Sequence, residues 1–377
     1  AQDTSVAEGC LWFVARMDFD DLEEEAAARL DAGDADAALA LGASEKPSKS
    51  WQGEVHPIHS SCKVPGSRHL DAKHVKLFSE RAGPFKMYLL IFYGAGDYVA
   101  TWYRFVNAMP DWLAVAVYER AGHGIRKSED LSSSYVDDAK DAIDAFRTML
   151  KDVGKDGCYE GAPFAVLGHS TGAAVMAEFA RRAELQFGVE PRCILEWDNP
   201  PPTVTTFSQW GRKLMFEEPQ AFMDIWNPSM AKQMKDGVDG EWKYGLHDQK
   251  LNCLFHDGSW NHMFHCDMYI WTTMRGHRFH DKYQKAKHAG TLDTEFDQKT
   301  LDEWLARNQL YETGASQGYL WDYTFKQFED GWKSLATGSS RCYRVDVDHS
   351  MMKFDEDIAK EIAQLLRNYC DVQGMSP

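Results

Sequence analysis

The stretch PFAVLGHSTGAAVMAEFARR, Pro163 to Arg182, decides the fold of this chain. It opens with the apolar run Pro163–Leu167, which is typical of a buried β-strand. The alanine-rich segment Thr171–Phe187 predicts a helix. Between them, Gly168-His169-Ser170-Thr171-Gly172 fits G-x-S-x-G, a pattern that places a serine at a sharp strand-to-helix turn. Such a turn exposes the Ser170 hydroxyl above the sheet edge, so Ser170 is our candidate nucleophile.

Short apolar runs alternate with helical stretches on both sides of this turn. We predict further strands at Met87–Tyr93, Leu113–Tyr118, Cys193–Trp197, Gln309–Thr313 and Cys342–Val347. We predict further helices at Tyr98–Ala108, Ser134–Lys151, Tyr323–Leu335 and Asp355–Tyr369. This alternation favours an α/β fold with a mostly parallel sheet and helices on both faces.

The alternation divides the 377 residues into three parts. The strand–helix alternation runs through residues 56–204 and 305–377, which are predicted to form the core. Residues 205–304 interrupt it with a segment rich in tryptophan, histidine and methionine, and are predicted to be an insertion. Residues 1–55 are predicted to be an acidic N-terminal extension, in which Asp21–Leu41 favours a helix.

The charge balance excludes some functions. Lys and Arg total 41 and Asp and Glu total 58, so the net charge is −17. This balance argues against nucleic-acid binding and against docking on anionic membranes, because both need clustered cations. Residues 1–46 hold 12 acidic and three basic residues, a net −9. The extension is therefore either a solvated surface or a docking segment for a partner domain. No apolar run approaches the ~18 residues that a membrane-spanning helix needs.

Cysteine and histidine usage bears on compartment and metal binding. The eight cysteines are scattered singly, which predicts free thiols and favours an intracellular location, cytoplasmic or organellar. His256, His262, His265 and Cys266 lie close together and have the residue types of a zinc site. No CxxC or HExxH motif accompanies them, so we interpret them as polar surface and predict neither a metal nor a cofactor.

A loop rich in glycine follows the first core strand and reads Tyr93-Gly94-Ala95-Gly96-Asp97. The backbone N–H groups of Ala95 and of Thr171 are our candidate donors to a developing oxyanion. The turn after the second strand, Glu119 to Gly124, contains His123. We assign His123 a structural role near the site rather than that of a base.

A base and an acid are expected after Ser170, in the order Ser, Asp, His. His349 follows the last strand and is our candidate general base. Asp198 ends the strand after the nucleophile helix, at the same sheet edge, and is our candidate acid. Asp322 is the fallback, because no carboxylate occupies residues 313–318, where many hydrolases carry the acid. Asp348 is expected to point away from its neighbour His349.

With FYGAGDYVATWYRFVNAMP upstream (residues 92–110) and WDNPPP downstream (197–202), the nucleophile stretch resembles the α/β-hydrolase thioesterases of polyketide and nonribosomal peptide synthesis. The position of Asp198 favours the synthase-terminal type over the free-standing editing type, which carries its acid later. The resemblance covers roughly residues 85–200 and 308–369. It implies that residues 205–304 are a helical lid.

The resemblance implies a two-step acyl transfer. Ser170 attacks an acyl thioester carried on phosphopantetheine or coenzyme A, and the acyl-serine is released by water or by ring closure. An acyl carrier protein or a larger synthase is then the expected partner. The alternatives are an oxygen-ester esterase, a lipase or an acyltransferase with the same three residues, and a non-catalytic binding or structural subunit of the same fold.

Overall fold

The computed structural model describes residues 75–77, 86–152, 163–238, 240–255, 260–273, 275–311 and 325–371. The acidic extension, His256 and Asp322 lie outside these ranges. The described strands are β1 Val75–Leu77, β2 Met87–Phe92, β3 Leu113–Tyr118, β4 Phe164–His169, β5 Cys193–Trp197, β6 Asp267–Thr273 and β7 Ser340–Val345.

The described helices alternate with these strands. Three surround the first half of the sheet: α1 Tyr103–Asn107, α2 Tyr135–Asp152 and α3 Gly172–Phe187. Four lie between β5 and β6: α4 Gln209–Glu217, α5 Pro219–Trp226, α6 Pro228–Lys235 and α7 Trp242–Phe255. The others are α8 Arg275–Ala289, α9 Leu292–Glu295, α10 Gln298–Gln309, α11 Phe325–Lys333 and α12 Glu356–Asp371.

The strands form one sheet in the order β1-β3-β2-β4-β5-β6-β7. Strand β1 is antiparallel to β3, and the other six strands are parallel. Alternate residues of each central strand point to opposite faces, and each face packs into its own apolar core. In β2, Tyr88 and Leu90 face the core beneath α2 and α3, whereas Leu89 and Ile91 face the core beneath α12. The α/β fold predicted from the sequence is confirmed.

The strand β6 corrects the predicted division of the chain. Strand β6, Asp267–Thr273, lies inside residues 205–304, yet it pairs with β5 on one side and β7 on the other and so belongs to the core sheet. Of the predicted strand Gln309–Thr313, the described residues end at Tyr311 and form no strand, because α10 runs to Gln309 and an isolated bridge joins Tyr311 to Phe207. Aromatic and β-branched residues in β6 do favour a strand. Similar residues throughout the insertion obscured that signal.

The helices between β5 and β6 have an apolar core of their own. Phe207, Met215, Phe222 and Met223 are its most buried members and pack together with Leu310. Two of these helices also contact the loop after β2: a Cβ on Gly96 would lie 3.0 Å from Met230 of α6 and 3.9 Å from the Gly245 backbone of α7. Helices α6 and α7 therefore rest directly on the loop that carries Ala95. No described helix is both long and apolar enough to cross a membrane.

Candidate active site

Ser170 stands at the turn between β4 and α3 with φ +52°, a left-handed conformation that non-glycine residues seldom adopt. Its N–H donates to the Trp197 carbonyl at 2.9 Å, which ties the turn to the end of β5. Two glycines make the close packing possible. A Cβ on Gly172 would lie 2.3 Å from the Phe92 carbonyl oxygen, and one on Gly94 would lie 2.7 Å from the Ser170 Cβ. The glycines let the helix and the neighbouring loop approach the serine.

Asp198 and His349 are brought together at the same edge of the sheet. His349 Nδ1 lies 2.7 Å from Asp198 Oδ2, although the two residues are 151 positions apart. Thr273, at the end of β6, donates to the same carboxylate through its N–H at 3.2 Å and its hydroxyl at 2.7 Å. These contacts fix the carboxylate in one orientation, with one oxygen towards the imidazole.

Two opposing effects act on the pKa of Asp198. Burial raises it, because the carboxylate is cut off from water. The hydrogen bond and charge of His349, together with the two hydrogen bonds from Thr273, outweigh burial and hold the pKa below its ordinary value. Asp198 is therefore ionised at neutral pH and can stabilise an imidazolium at His349.

His169 joins the nucleophile turn to the loop that carries His349. Its Nε2 donates to the His349 carbonyl oxygen at 2.9 Å, and the two rings lie 4.8 Å apart. Trp102 and Trp197 pack edge-on against the His169 ring. The residue next to the serine thus holds the backbone of the candidate base in place. The G-x-S-x-G pattern leaves this position open, so this role of His169 could not be predicted from the motif.

Burial of His169 makes the stability of the protein pH-dependent. Burial lowers its pKa well below the ordinary value, and the charges of His349 and Lys353 lower it further. The unfolded chain therefore takes up a proton below about pH 6.5 that the folded chain does not, so acid favours unfolding. We expect the free energy of unfolding of His169→Gln to change less with pH between pH 6.5 and 5 than that of the parent protein. The two slopes should differ by up to about 1.4 kcal/mol per pH unit. Urea titrations at several pH values measure this.

The exposed His288, on α8, provides the control for that experiment. His288→Gln should retain the pH dependence of the parent protein. Equal slopes for the parent protein and His169→Gln would contradict the assignment.

The loop after β2 is held from two sides. On one side, the Gly96 N–H donates to Asp248 Oδ2 of α7 at 3.3 Å. On the other, Asp97 forms a partly buried ion pair with Lys353, from the turn that begins at His349. Ala95 lies between these anchors and is half-buried, and Thr171 is buried at the start of α3. Ala95 follows Gly94, which packs against Ser170, and Thr171 follows Ser170 in the chain.

Asp248 belongs to a buried charged cluster that motif analysis missed. Its oxygens lie 2.7 Å from Arg120 Nη1 and 3.1 Å from His123 Nε2. Arg120 also pairs with Asp138 of α2 at 2.7 Å. His123 Nδ1 lies 3.0 Å from the Ala121 carbonyl oxygen, so both of its ring nitrogens have partners. This matches the structural role expected for His123. The cluster links α7 to α2 and to the turn after β3, beside the Ala95 loop.

A mostly parallel sheet with Ser170 at the turn after its central strand defines an α/β hydrolase. Residues 93–313, which include Ser170 and Asp198, match the Alpha/beta hydrolase family, and the chain belongs to this family. No curated protein matches the chain.

Solved structures share the fold at low sequence identity. ClbQ from the colibactin NRPS/PKS pathway matches with a TM-score of 0.50 and 16% identity, over 76% of this chain and 99% of that chain. The RedJ thioesterase from the prodiginine biosynthetic pathway in Streptomyces coelicolor matches with a TM-score of 0.50 and 13% identity, over 74% and 85%. The resemblance to α/β-hydrolase thioesterases is confirmed at the level of the fold.

Proposed function

We propose that this protein is a serine hydrolase that cleaves acyl thioesters. The observation that carries the proposal is the 2.7 Å contact between Asp198 and His349, at the sheet edge that also presents Ser170. A carboxylate that holds Nδ1–H directs the other imidazole nitrogen outward as a base. Family membership and the fold of the RedJ thioesterase support the thioester as the bond attacked.

In the proposed first step, Ser170 Oγ attacks the thioester carbonyl carbon and His349 Nε2 takes the hydroxyl proton. The N–H groups of Ala95 and Thr171 stabilise the negative charge on the carbonyl oxygen. As the tetrahedral intermediate collapses, the C–S bond breaks and His349 returns its proton to the leaving thiolate. The acyl group is then held on Ser170 as an ester.

In the second step, water or a hydroxyl or amine of the acyl chain attacks the ester, with His349 again as the base. Water gives hydrolysis, and an internal nucleophile gives a ring. We further propose that the thiol is phosphopantetheine, on an acyl carrier protein or a larger synthase, or coenzyme A. Helices α4–α7 would then act as the lid over the acyl chain, since α6 and α7 rest on the Ala95 loop. The position of Asp198 after β5 favours the synthase-terminal type.

Labelling with a fluorophosphonate probe tests the serine mechanism. We expect stoichiometric labelling of the parent protein and none of Ser170→Ala, because the probe reacts with an activated serine. Ser133→Ala, at an exposed serine, is the matched control and should label normally. A parent protein that is folded but unlabelled would contradict the proposal and favour a non-catalytic subunit.

A panel of acyl-pantetheine thioesters and matched oxygen esters tests the substrate class. We expect kcat/KM to be higher for the thioester of each pair. A consistent preference for oxygen esters would assign the protein to the esterases or lipases instead.

A further inference from the structure

Asp198, the proposed acid, stands in a strained turn at the end of β5. Its φ is +52°, the same left-handed value as at Ser170, and no other non-glycine residue in the described part of the chain has a positive φ. A Cβ makes this conformation unfavourable, so it persists only where neighbouring contacts hold it. The direction of the Asp198 carboxylate, and with it the 2.7 Å contact with His349, depends on those contacts.

Three hydrogen bonds hold the backbone of this turn. The Asp198 N–H donates to the Trp271 carbonyl oxygen of β6 at 2.9 Å. The Asn199 N–H donates to Glu196 Oε1 at 2.7 Å, and Trp332 Nε1 donates to the Asn199 carbonyl oxygen at 2.7 Å. Two of the three therefore act on the residue directly after the acid, one on its N–H and one on its carbonyl.

Glu196 reaches this turn from within the core of the protein. Side chains alternate between the two faces of a strand, so Glu196 shares the face of Ile194, which packs into the core beneath α2 and α3. The Glu196 side chain is wholly excluded from solvent, and its Oε2 has no hydrogen-bond partner among the described residues. A carboxyl placed this way lowers stability, because a buried polar atom is left unpaired. The contact of Oε1 with the Asn199 N–H gives it a role that an apolar side chain could not fill.

The charge state of Glu196 suits that role. Burial raises its pKa well above the ordinary value, and the negative charge of Asp198 raises it further. The carboxyl is therefore protonated at neutral pH and accepts the Asn199 N–H as a neutral group. A second negative charge beside Asp198 would favour protonation of the acid, and a neutral Glu196 avoids this.

We propose that Glu196 is a positioning residue for the acid, an inference that rests on the proposed function. By accepting the Asn199 N–H, it fixes the turn that aims the Asp198 carboxylate at His349. It acts through Asp198 and takes no part in the chemistry itself.

Two substitutions distinguish the hydrogen bond of Glu196 from its size and charge. Glu196→Gln keeps a neutral acceptor oxygen, whereas Glu196→Met keeps the length of the side chain without an acceptor. We expect Glu196→Gln to react with the fluorophosphonate probe at close to the parent rate. Glu196→Met should react about 10²-fold more slowly, because a displaced acid misaligns the base. On a thioester substrate, the loss should appear in kcat rather than in KM.

A double-mutant cycle shows whether Glu196 acts through Asp198. In the Asp198→Asn background, Glu196→Met should slow labelling by no more than about twofold, because the carboxylate that it positions is already gone. Equal losses in both backgrounds would contradict the proposal. Ile194→Val, two residues earlier on the same face of β5, is the matched control and should react at the parent rate.

Proton NMR tests the same geometry without catalysis. A proton held between an imidazole nitrogen and a carboxylate in a charge-assisted hydrogen bond is strongly deshielded and resonates far downfield. We expect this signal from His349 Nδ1–H in the parent protein and in Glu196→Gln. It should be lost in Glu196→Met, as in Asp198→Asn.

The two readouts distinguish the failure of this proposal from that of the proposed function. If the folded parent protein is not labelled but the NMR signals follow the expected pattern, the serine mechanism fails and the positioning role stands. A downfield signal that Glu196→Met leaves unchanged overturns the positioning role, whatever the labelling shows. Circular dichroism shows whether each variant is folded. If Glu196→Met is not, Glu196→Val takes its place, because valine suits a strand and also lacks an acceptor.

Discussion

Replacing Asp198 by asparagine is expected to lower kcat by about 10⁴-fold while leaving the fold intact. The amide oxygen can still accept from the Thr273 N–H, but the amide nitrogen then faces His349 Nδ1. An NH2 group there makes Nδ1 accept rather than donate. The proton moves to Nε2, and His349 cannot take the proton of Ser170. The loss of negative charge also removes the group that stabilises the imidazolium.

Steady-state kinetics on the best thioester measure this effect, and urea unfolding shows that the variant is folded. Asp348→Asn is the matched control, because it changes the carboxylate next to His349 that is expected to point away. Its kcat should stay within about threefold of the parent value. Near-normal activity of Asp198→Asn would transfer the role of the acid to another carboxylate, with Asp322 the first to examine.

The second large effect is on stability, at Arg120. This guanidinium is buried between Asp138 and Asp248, each 2.7 Å away, and all three side chains are almost wholly excluded from solvent. Arg120→Met keeps much of the volume but leaves two buried carboxylates without their cation. We expect the free energy of unfolding to fall by about 3–5 kcal/mol. Urea denaturation with linear extrapolation measures the change.

A second substitution distinguishes the stability lost through an uncompensated buried charge from the stability lost through poorer packing. In Arg120→Met/Asp138→Asn, one uncompensated charge is gone, so the double variant should be more stable than Arg120→Met alone. Lys140→Met is the surface control: its ion pair with Asp137 is exposed, and its loss should cost at most about 1 kcal/mol. A loss below about 1 kcal/mol in Arg120→Met would show that the cluster adds little to stability.

These two predictions draw on different kinds of information. Asp198 was a candidate from the sequence, because it ends a recognisable strand on the nucleophile's side of the sheet. Its partner Thr273 was not a candidate, because the many aromatic residues around β6 obscured the strand pattern. The Arg120 cluster joins the turn after β3 to α2 and α7, and no local pattern connects Arg120 to Asp248, which lies 128 residues later.

The predicted fold was accurate wherever periodicity was strong. Strands β2 and β3 are continuous apolar runs and β4 and β5 are mostly apolar, because each is buried on both faces of the sheet. The predicted strand at Gln309 failed because a short run with apolar residues at its centre fits a helix end as well as a strand. Burial decided between the two: Leu310 and Tyr311 pack into the apolar core of helices α4–α7.

By itself, the sequence determined the turn around Ser170, the parallel sheet and the order of the three candidate residues. These features depend on local spacing, and a strand–turn–helix needs only neighbouring residues to specify it. Only the tertiary structure decided which carboxylate faces His349, what holds the Ala95 loop, and that Glu184 pairs with both His262 and His265. Each of these contacts joins residues far apart in the chain. Sheet order and packing bring these residues together, and neither can be predicted from local sequence patterns.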